Sequence, residues 1–376
     1  MKIRVEVSSL ASKNMSGVAS YTKMLVEALD ENPNIVTFAS YFDFFNRQPE
    51  PKIKLKQTLE KNSLVPLRVY AKSQSYNFAP PFDVLLPRVD LTIFPNFATW
   101  PTIKSKLRAT VIHDLTYMYY PDAVEINNLP HLQRVVPRSV KQADIIITPS
   151  EAVKAEIVKE FSVSPDKCIV TTIPPDSKYL RKNNNEIHKK YGIPTEKFIY
   201  FVGTLEPRKD LPTLIEAYRK LPNSIKDECC LVLAGGNGWK TEKSRKAIDD
   251  AKEAGENVIH VGFIDGDDGP AFFQQASLYV MPSTYEGFGI PVLEAMASGC
   301  PVIASDIPVL REVAGDAALF AKVGDSDSFC GAIKKLIGNH DLQKELVEKG
   351  KKRLNNFSPA KNAEIIFNKV ETLLKS

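Results

Sequence analysis

At 376 residues the chain is too long for one ordinary core, which implies two domains or one large α/β domain. A composition of 43% hydrophobic and 25% charged residues, with no low-complexity tract, excludes a largely disordered protein. The formal charge of +4 hides an asymmetry: residues 51–150 hold 13 Lys/Arg against 7 Asp/Glu, whereas residues 251–350 hold 7 against 15.

Five cysteines (Cys168, Cys229, Cys230, Cys300, Cys330) are odd in number, scattered and without a C-x-x-C pair. That argues against a disulfide framework or a zinc site and for a reducing compartment. "MKIRVEVSSL" alternates like a strand and lacks the apolar core of a signal peptide. No apolar run approaches the roughly 18 residues of a membrane span. The expectation is a soluble, cytoplasmic protein.

In chain order, "IRVEVSS" (3–9) reads as a strand, followed from Gly17 by a helix with Val18, Tyr21, Leu25 and Leu29 on one face. Residues 35–42, 90–96, 108–114 and 143–150 read as further buried strands. Ser150 caps a helix over 151–161, and 167–175 forms a strand stopped by two prolines. The polar stretch 176–196, with three consecutive asparagines, reads as an interdomain linker.

A second ladder then restarts. Strands are expected at 197–204, 229–236, 257–263, 277–283 and 301–306. Helices are expected at 211–220, 240–254, 269–276, 291–298, 308–314, 326–337, 341–355 and 359–375. Apolar β-branched runs alternating with amphipathic helices mean parallel sheets covered on both faces. The fold class is α/β, with two doubly wound domains. Neither carries a strict G-x-G-x-x-G, which disfavours a dinucleotide dehydrogenase.

Open parallel sheets bind ligands beyond the carboxyl ends of their strands, so the residues there are the candidates. Gly17 opens the first helix, where backbone amides favour an anion, although such a glycine also suits a plain turn. His113-Asp114 follows a strand; His113 suits a sugar hydroxyl or a base role, or simply a loop hydrogen bond. In "TLEPRKD" (204–210), Arg208 and Lys209 suit phosphate oxygens better than a bare exposed turn. Gly235-Gly236 allows close backbone approach. Phe263 and Ile264 sit at the same sheet edge.

In "EGFGIPVLEA" (286–295), Pro291 suits the first turn of a helix and Gly299 its end. Glu286 then lies on the strand side of a turn and Glu294 inside the helix. They bracket amides instead of sharing a helix face, and too few ligands lie nearby for a metal. Cations for a diphosphate and carboxylates for hydroxyls on one edge suggest a nucleotide-diphosphate sugar.

These segments resemble glycosyltransferases of the GT-B fold, specifically glycosyltransferase family 4. Glu286 and Glu294 match its E-x7-E signature, "GTLEPRKD" (203–210) its GTxEPRKN segment, and "VIHDLT" (111–116) a loop of its mannosyltransferase-like members. The resemblance spans essentially the whole chain. It implies a first, acceptor-side Rossmann-like domain (1–175) to which helix 359–375 returns, a linker (176–196), and a nucleotide-sugar domain (197–358).

It further implies a retaining transferase that needs no metal or other cofactor. Arg208 and Lys209 would hold the diphosphate, with Gly203 in the same segment. Gly17 would let the phosphates approach. Glu286, with the amides of Phe288, Gly289 and Ile290, would hold the transferred sugar. Glu294 would bind the ribose, His113 would contact the donor sugar, and Phe263 and Ile264 would lie beside the base. The donor is expected to be GDP-mannose ahead of a UDP-hexose, and the acceptor a glycan or lipid-linked glycan.

Three departures stand out. Asp210 replaces the usual Asn and is expected to act as a helix cap. "IPPD" (173–176) replaces an Asn-Gly-Val-Asp type turn. The first loop lacks the paired glycines usual near Gly17.

Two other readings are a nucleotide-sugar 2-epimerase on the same fold and a non-catalytic sugar-nucleotide-binding module. Tyr117, Tyr119, Tyr120 and the basic stretch 51–72 (Lys52, Lys54, Lys56, Lys61, Arg68 and Lys72 against Glu60) are candidates to shape the acceptor site. That stretch reads either as a face for anionic lipid at the inner membrane surface or, preferably, as a solvated strand edge and helix face. A nucleic-acid partner is disfavoured because the charge is local and without a recognition motif.

Overall fold

The computed structural model describes all residues except 12–16, 44–48, 52, 54, 57, 58, 63–68, 71–79 and 376. The chain divides into two compact units. The first comprises residues 1–118, 126–173 and 358–376; the second comprises 119–125 and 174–357.

The first unit is built on a seven-stranded parallel sheet in the order β3-β2-β1-β4-β5-β6-β7. The strands are β1 (Lys2–Glu6), β2 (Val36–Phe42), β3 (Leu59–Asn62), β4 (Val89–Phe94), β5 (Ser105–Val111), β6 (Ile145–Thr148) and β7 (Cys168–Val170). β6 is Ile-Ile-Ile-Thr and wholly buried, as expected of a strand covered on both faces.

β3, the edge strand, falls in the basic stretch. Within it Lys61 is half exposed and pairs with Asp43 at 3.4 Å, while the Lys56 ammonium donates to the Asp30 carbonyl at 2.7 Å. Lys52, Lys54, Arg68 and Lys72 lie outside the described residues. Arg4 is fully buried on β1, and its Nε donates to Glu60 on β3 at 2.8 Å. A buried guanidinium is tolerable only with such a partner.

Helices α1 (Gly17–Glu31), α2 (Leu129–Gln142) and α3 (Glu151–Phe161) belong to this unit. Ser150 caps α3, its Oγ accepting from the Val153 amide at 3.2 Å.

The second unit holds a six-stranded parallel sheet in the order β10-β9-β8-β11-β12-β13. Its strands are β8 (Lys197–Val202), β9 (Cys229–Ala234), β10 (Val258–Gly262), β11 (Leu278–Met281), β12 (Val302–Ser305) and β13 (Ala318–Ala321). Flanking helices are α4 (Ile187–Tyr191), α5 (Leu211–Arg219), α6 (Glu242–Glu253), α7 (Gly269–Gln275), α8 (Ile290–Ala297), α9 (Pro308–Ala314), α10 (Ser326–Ile337) and α11 (His340–Arg353). Phe201, Leu214, Leu231, Val280, Ile303 and Ile333 lie in its core.

The last helix, α12 (Pro359–Lys375), packs on α1 in the first unit. It buries Ala363, Ile366 and Val370 on one face, and Asn362 Nδ2 donates to the Thr172 carbonyl at 2.6 Å.

Two elements differ from expectation. β13 was not anticipated, because it is only four residues long and lacks a long apolar run, whereas β3 lies in the stretch 51–72 read as a strand edge. The polar stretch 176–196 is not an open tether but is folded within the second unit. It carries a short 3₁₀ turn and α4, and it buries Tyr179, Ile187 and Ile193. Its polar groups are used internally: Lys190, Tyr191 and Asn185 all donate to the buried Asp268 carboxylate at 2.6–2.7 Å. All five cysteines are buried and unpaired with one another.

Candidate functional site

Both sheets reverse strand order once, between β1 and β4 and between β8 and β11. At such a reversal the loops leaving neighbouring strands splay apart and open a crevice beyond the carboxyl ends. In the second unit the loops leaving β8 and β11 carry Arg208-Lys209 and Glu286.

Local sequence explains the placement. Pro207 starts a single 3₁₀ turn over Pro207–Lys209, and Asp210 ends it at φ +46°. Asp210 stands at the N-cap of α5; burial raises its pKa, and hydrogen bonds from the Thr213 amide and side chain in the first turn oppose that rise, in keeping with the expected capping role. The demanding feature is its left-handed backbone, which Asp and Asn adopt more readily than other L-residues. That accounts for the exchange of one for the other. The turn is tied to the neighbouring loop by the Thr284 amide, which donates to the Arg208 carbonyl at 2.8 Å.

Within this frame lies a buried cluster of alternating charge. Arg208 Nη1 meets Glu286 Oε2 at 2.5 Å, and Lys209 Nζ meets Glu286 Oε1 at 2.5 Å. Arg208 Nε lies 2.6 Å from the buried Glu206 carboxylate, and Arg208 Nη1 also donates to the Tyr285 carbonyl at 3.0 Å. Burial alone would raise the Glu286 pKa. Arg208 and Lys209 outweigh it and hold the carboxyl at about 2, so Glu286 is ionised at any physiological pH. Burial and then Arg208 depress the Lys209 pKa, while Glu286 opposes them.

The glycines around the cluster differ in how strictly they are needed. A Cβ on Gly203 would stand 3.2 Å from Phe201 Cζ, a tight contact, and 3.5 Å from Lys209 Cε, an ordinary one. Gly235, at φ +136°, would drive a Cβ to 1.9 Å from the Gly203 carbonyl oxygen. Gly289, at φ +102°, precedes α8, where a Cβ would press on Leu310 at 2.7 Å.

At the start of α8 Pro291 carries no N–H and the Val292 amide donates to the Gly289 carbonyl at 3.0 Å, while the helix dipole makes this end favourable to an anion. The Phe288 side chain is buried and meets Phe357 edge to face.

Glu294 does not join the Glu286 cluster. It is largely buried on α8 beside Tyr179, which hydrogen-bonds it, and Lys178. Burial outweighs both and raises its pKa to about 7. Phe263 and Ile264 follow β10; Phe263 is 85% exposed and Ile264 is half-buried.

In the first unit, His113 follows β5. Its Nε2 lies 2.8 Å from the Pro95 carbonyl after β4, so Nε2 carries the proton. Tyr21 and Phe97 meet the imidazole edge to face, and burial pushes its pKa down, which keeps it neutral. Gly17 opens α1, and a Cβ there would meet nothing within 4 Å, so no steric demand imposes a glycine. Of the tyrosines, Tyr117 is buried, whereas Tyr119 and Tyr120 belong to the second unit and lie against Tyr285.

Three participants escaped the sequence reading. Glu206 stands inside the quoted "TLEPRKD" but was overshadowed by the cations. Tyr179 sits in a stretch read as linker, and Tyr285 precedes the motif glutamate. Among the described residues no three His, Cys, Asp or Glu side chains group as metal ligands.

The family model described as Glycosyl transferases group 1 matches residues 183–353. O-antigen chain mannosyltransferase B of Escherichia coli is 28% identical over 252 residues, covering 66% of each chain. The chain thus spans just under two thirds of that relative's length, and 59% and 30% of two further mannosyltransferases. A processive diacylglycerol alpha-glucosyltransferase of Acholeplasma laidlawii is 30% identical, covering 62% of this chain and 69% of the relative. Among solved structures, Anabaena HepE in complex with UDP and glucose superposes with a TM-score of 0.70 at 16% identity, covering 99% of this chain and 100% of that one. The chain belongs to the glycosyl transferases group 1 family, of the family 4 type, and has the GT-B fold.

Proposed function

We propose that the protein is a retaining, metal-independent hexosyltransferase. It moves a hexose from a nucleotide-diphosphate sugar, GDP-mannose in preference to a UDP-hexose, to a glycan or lipid-linked glycan. The observation that carries this reading is the buried Arg208–Lys209–Glu286 cluster at the strand-order reversal of the second sheet. The mannosyltransferase relatives support the mannose preference; the glucosyltransferase relative and the UDP complex of HepE keep UDP-hexoses as the second donor.

In this reading Arg208 and Lys209 bind the donor diphosphate and stabilise it as the bond between the anomeric carbon and the phosphate oxygen breaks. The electron pair leaves with the diphosphate. Preorganised cations in a buried site stabilise that developing charge without reorganisation. The acceptor oxygen bonds to the anomeric carbon on the face the phosphate leaves, and its proton passes to the departing phosphate oxygen.

Glu286, ionised and fixed by two cations, accepts hydrogen bonds from the sugar hydroxyls, with the amides at 288–290 beside it. Glu294 takes the ribose hydroxyls, and Phe263 and Ile264 flank the base. Gly203 and Gly17 let the phosphates approach, and neutral His113 offers its Nδ1 lone pair to a sugar hydroxyl. Residues within the stretch 1–175 take the acceptor. Among the described residues no helix is long and apolar enough to cross a membrane; the reading has the protein work in the cytoplasm and meet its acceptor at the inner membrane face.

A melting screen against GDP, UDP, ADP and their sugars tests the donor, since a ligand of the folded state raises the transition. GDP and GDP-mannose should give the largest rise. Transfer to octyl α-D-mannopyranoside, with product anomer read by NMR, then tests the reaction. Trapping a glycosyl ester on Glu286 would overturn the front-face route. Conversion of the donor sugar without any acceptor would favour the epimerase, and binding without turnover the non-catalytic module.

A further inference from the structure

We propose that Tyr119, Tyr120 and Tyr285 form an aromatic platform that binds a pyranose ring of the acceptor; this rests on the hexosyltransferase reading above. The chain contributes residues 119–125 to the second unit between two segments of the first. There the 3₁₀ turn Pro121–Ala123 packs against the turn Pro207–Lys209 that carries the cations. Asp122 pairs with Lys240 at 2.6 Å on its outer side.

The Tyr120 ring lies 5.4 Å from that of Tyr285 at 37°, and the Tyr119 ring 6.0 Å away at 58°. Tyr285 is 8% exposed, and its carbonyl accepts from Arg208 one residue before Glu286. Tyr119 and Tyr120 remain 37% and 38% exposed. Aromatic surface is thus exposed immediately beside the reacting groups.

Charge decides the occupant. A nucleotide diphosphate needs cations, and Arg208 and Lys209 are gathered on Glu286, with Arg208 donating to the Tyr285 carbonyl and not lying over the rings. The tyrosine surface is neutral, and its neighbouring ion pair, Asp122–Lys240, is closed on itself. A pyranose ring has apolar C–H faces and a hydroxyl rim. A tyrosine has a flat apolar face and a polar tip, and so matches both. The uncharged acceptor sugar fits this surface where the diphosphate does not.

The test compares Tyr120→Ala and Tyr120→Phe with the wild type, using GDP-mannose as donor and octyl α-D-mannopyranoside as acceptor. Nucleotide release without acceptor is measured in parallel. Tyr120→Ala should raise the acceptor KM roughly threefold to tenfold, the range expected for one aromatic contact. The donor KM and acceptor-free nucleotide release should stay level, and Tyr120→Phe, which keeps the ring face and loses the polar tip, should raise the acceptor KM less than Tyr120→Ala. An unchanged acceptor KM overturns the proposal. So does a parallel rise in donor KM, which would assign the rings to the nucleobase or to support of the turn.

Saturation-transfer NMR of octyl α-D-mannopyranoside with the protein reads binding without turnover. Its sugar C–H signals should fade in a Tyr119→Ala/Tyr120→Ala double variant whose melting temperature is unchanged; signals that persist overturn the platform. If the wild type transfers hexose from none of the nucleotide sugars, the hexosyltransferase reading fails, and the NMR experiment still decides the platform.

Discussion

Glu286 is a carboxylate whose chemistry is set by its neighbours. Two cations at 2.5 Å hold its pKa near 2 against burial, so it is a poor proton donor and a firm hydrogen-bond acceptor. Glu286→Gln keeps the shape but removes the charge that balances Arg208 and Lys209. Turnover should fall by about 100-fold or more, the scale of losing one preorganised electrostatic contact. Steady-state kinetics beside a melting curve separates this from unfolding. Glu294, by contrast, has only Tyr179 and Lys178 to offset burial, and its pKa rises to about 7. In the proposed donor site its carboxylate form would accept ribose hydroxyls on both oxygens, whereas its protonated form would not. The donor KM should therefore fall as pH rises from 6 to 8, and Glu294→Gln should flatten that dependence. A donor KM profile equally steep in the variant would remove Glu294 from the donor site.

At the scale of elements, the strands deliver these residues and the glycines let the loops close. Gly203 and Gly235 follow adjacent strands with their backbones in contact, so Gly235 cannot carry a side chain without displacing the loop at Gly203. One buried acid gathers three donors of the segment 176–196. Asp268 is 3% exposed and accepts from Lys190, Tyr191 and Asn185. Asp268→Ala leaves three donors without that acceptor and should cost about 1–3 kcal/mol. Denaturant unfolding checks the loss, and proteolysis within 176–196 should speed up with it. An unchanged midpoint would show that the segment is held by Tyr179, Ile187 and Ile193 instead.

At the scale of the whole molecule, two units with separate sheets share one chain, which threads 119–125 and 358–376 out of simple order. The family match, 183–353, falls inside the second unit, whereas the structural likeness to HepE covers nearly the full chain. The first unit thus keeps its architecture with little sequence signature. Its buried Glu6, at the carboxyl end of β1, has a pKa raised to about 7 by burial, with the Ser8 hydrogen bonds pulling it back. A raised folded-state pKa means that protonation favours the fold. That contribution is complete below pH 4.5 and is lost as pH rises through 7. Relative to wild type, Glu6→Gln should gain on the order of 1–3 kcal/mol between pH 5 and pH 8. Melting temperatures of both proteins at the two pH values measure it, and a difference independent of pH would contradict the assignment.

The sequence by itself determined the two α/β ladders, because buried parallel strands write long apolar runs and their helices write a 3.6-residue period. It also pointed to the EPRK turn and the two motif glutamates, since charged residues directly after buried strands have few structural uses. It did not disclose β13, which is too short for a periodicity, or the folded state of 176–196, whose polar side chains look solvated until Asp268 is brought to them. Only the tertiary structure decided that Glu286 is clamped by Arg208 and Lys209 while Glu294 stands apart with Tyr179. Only it brought Tyr119 and Tyr120 to Tyr285, across 165 residues of sequence. Such pairings depend on strand order, and strand order is fixed by long-range packing that no local run of residues records.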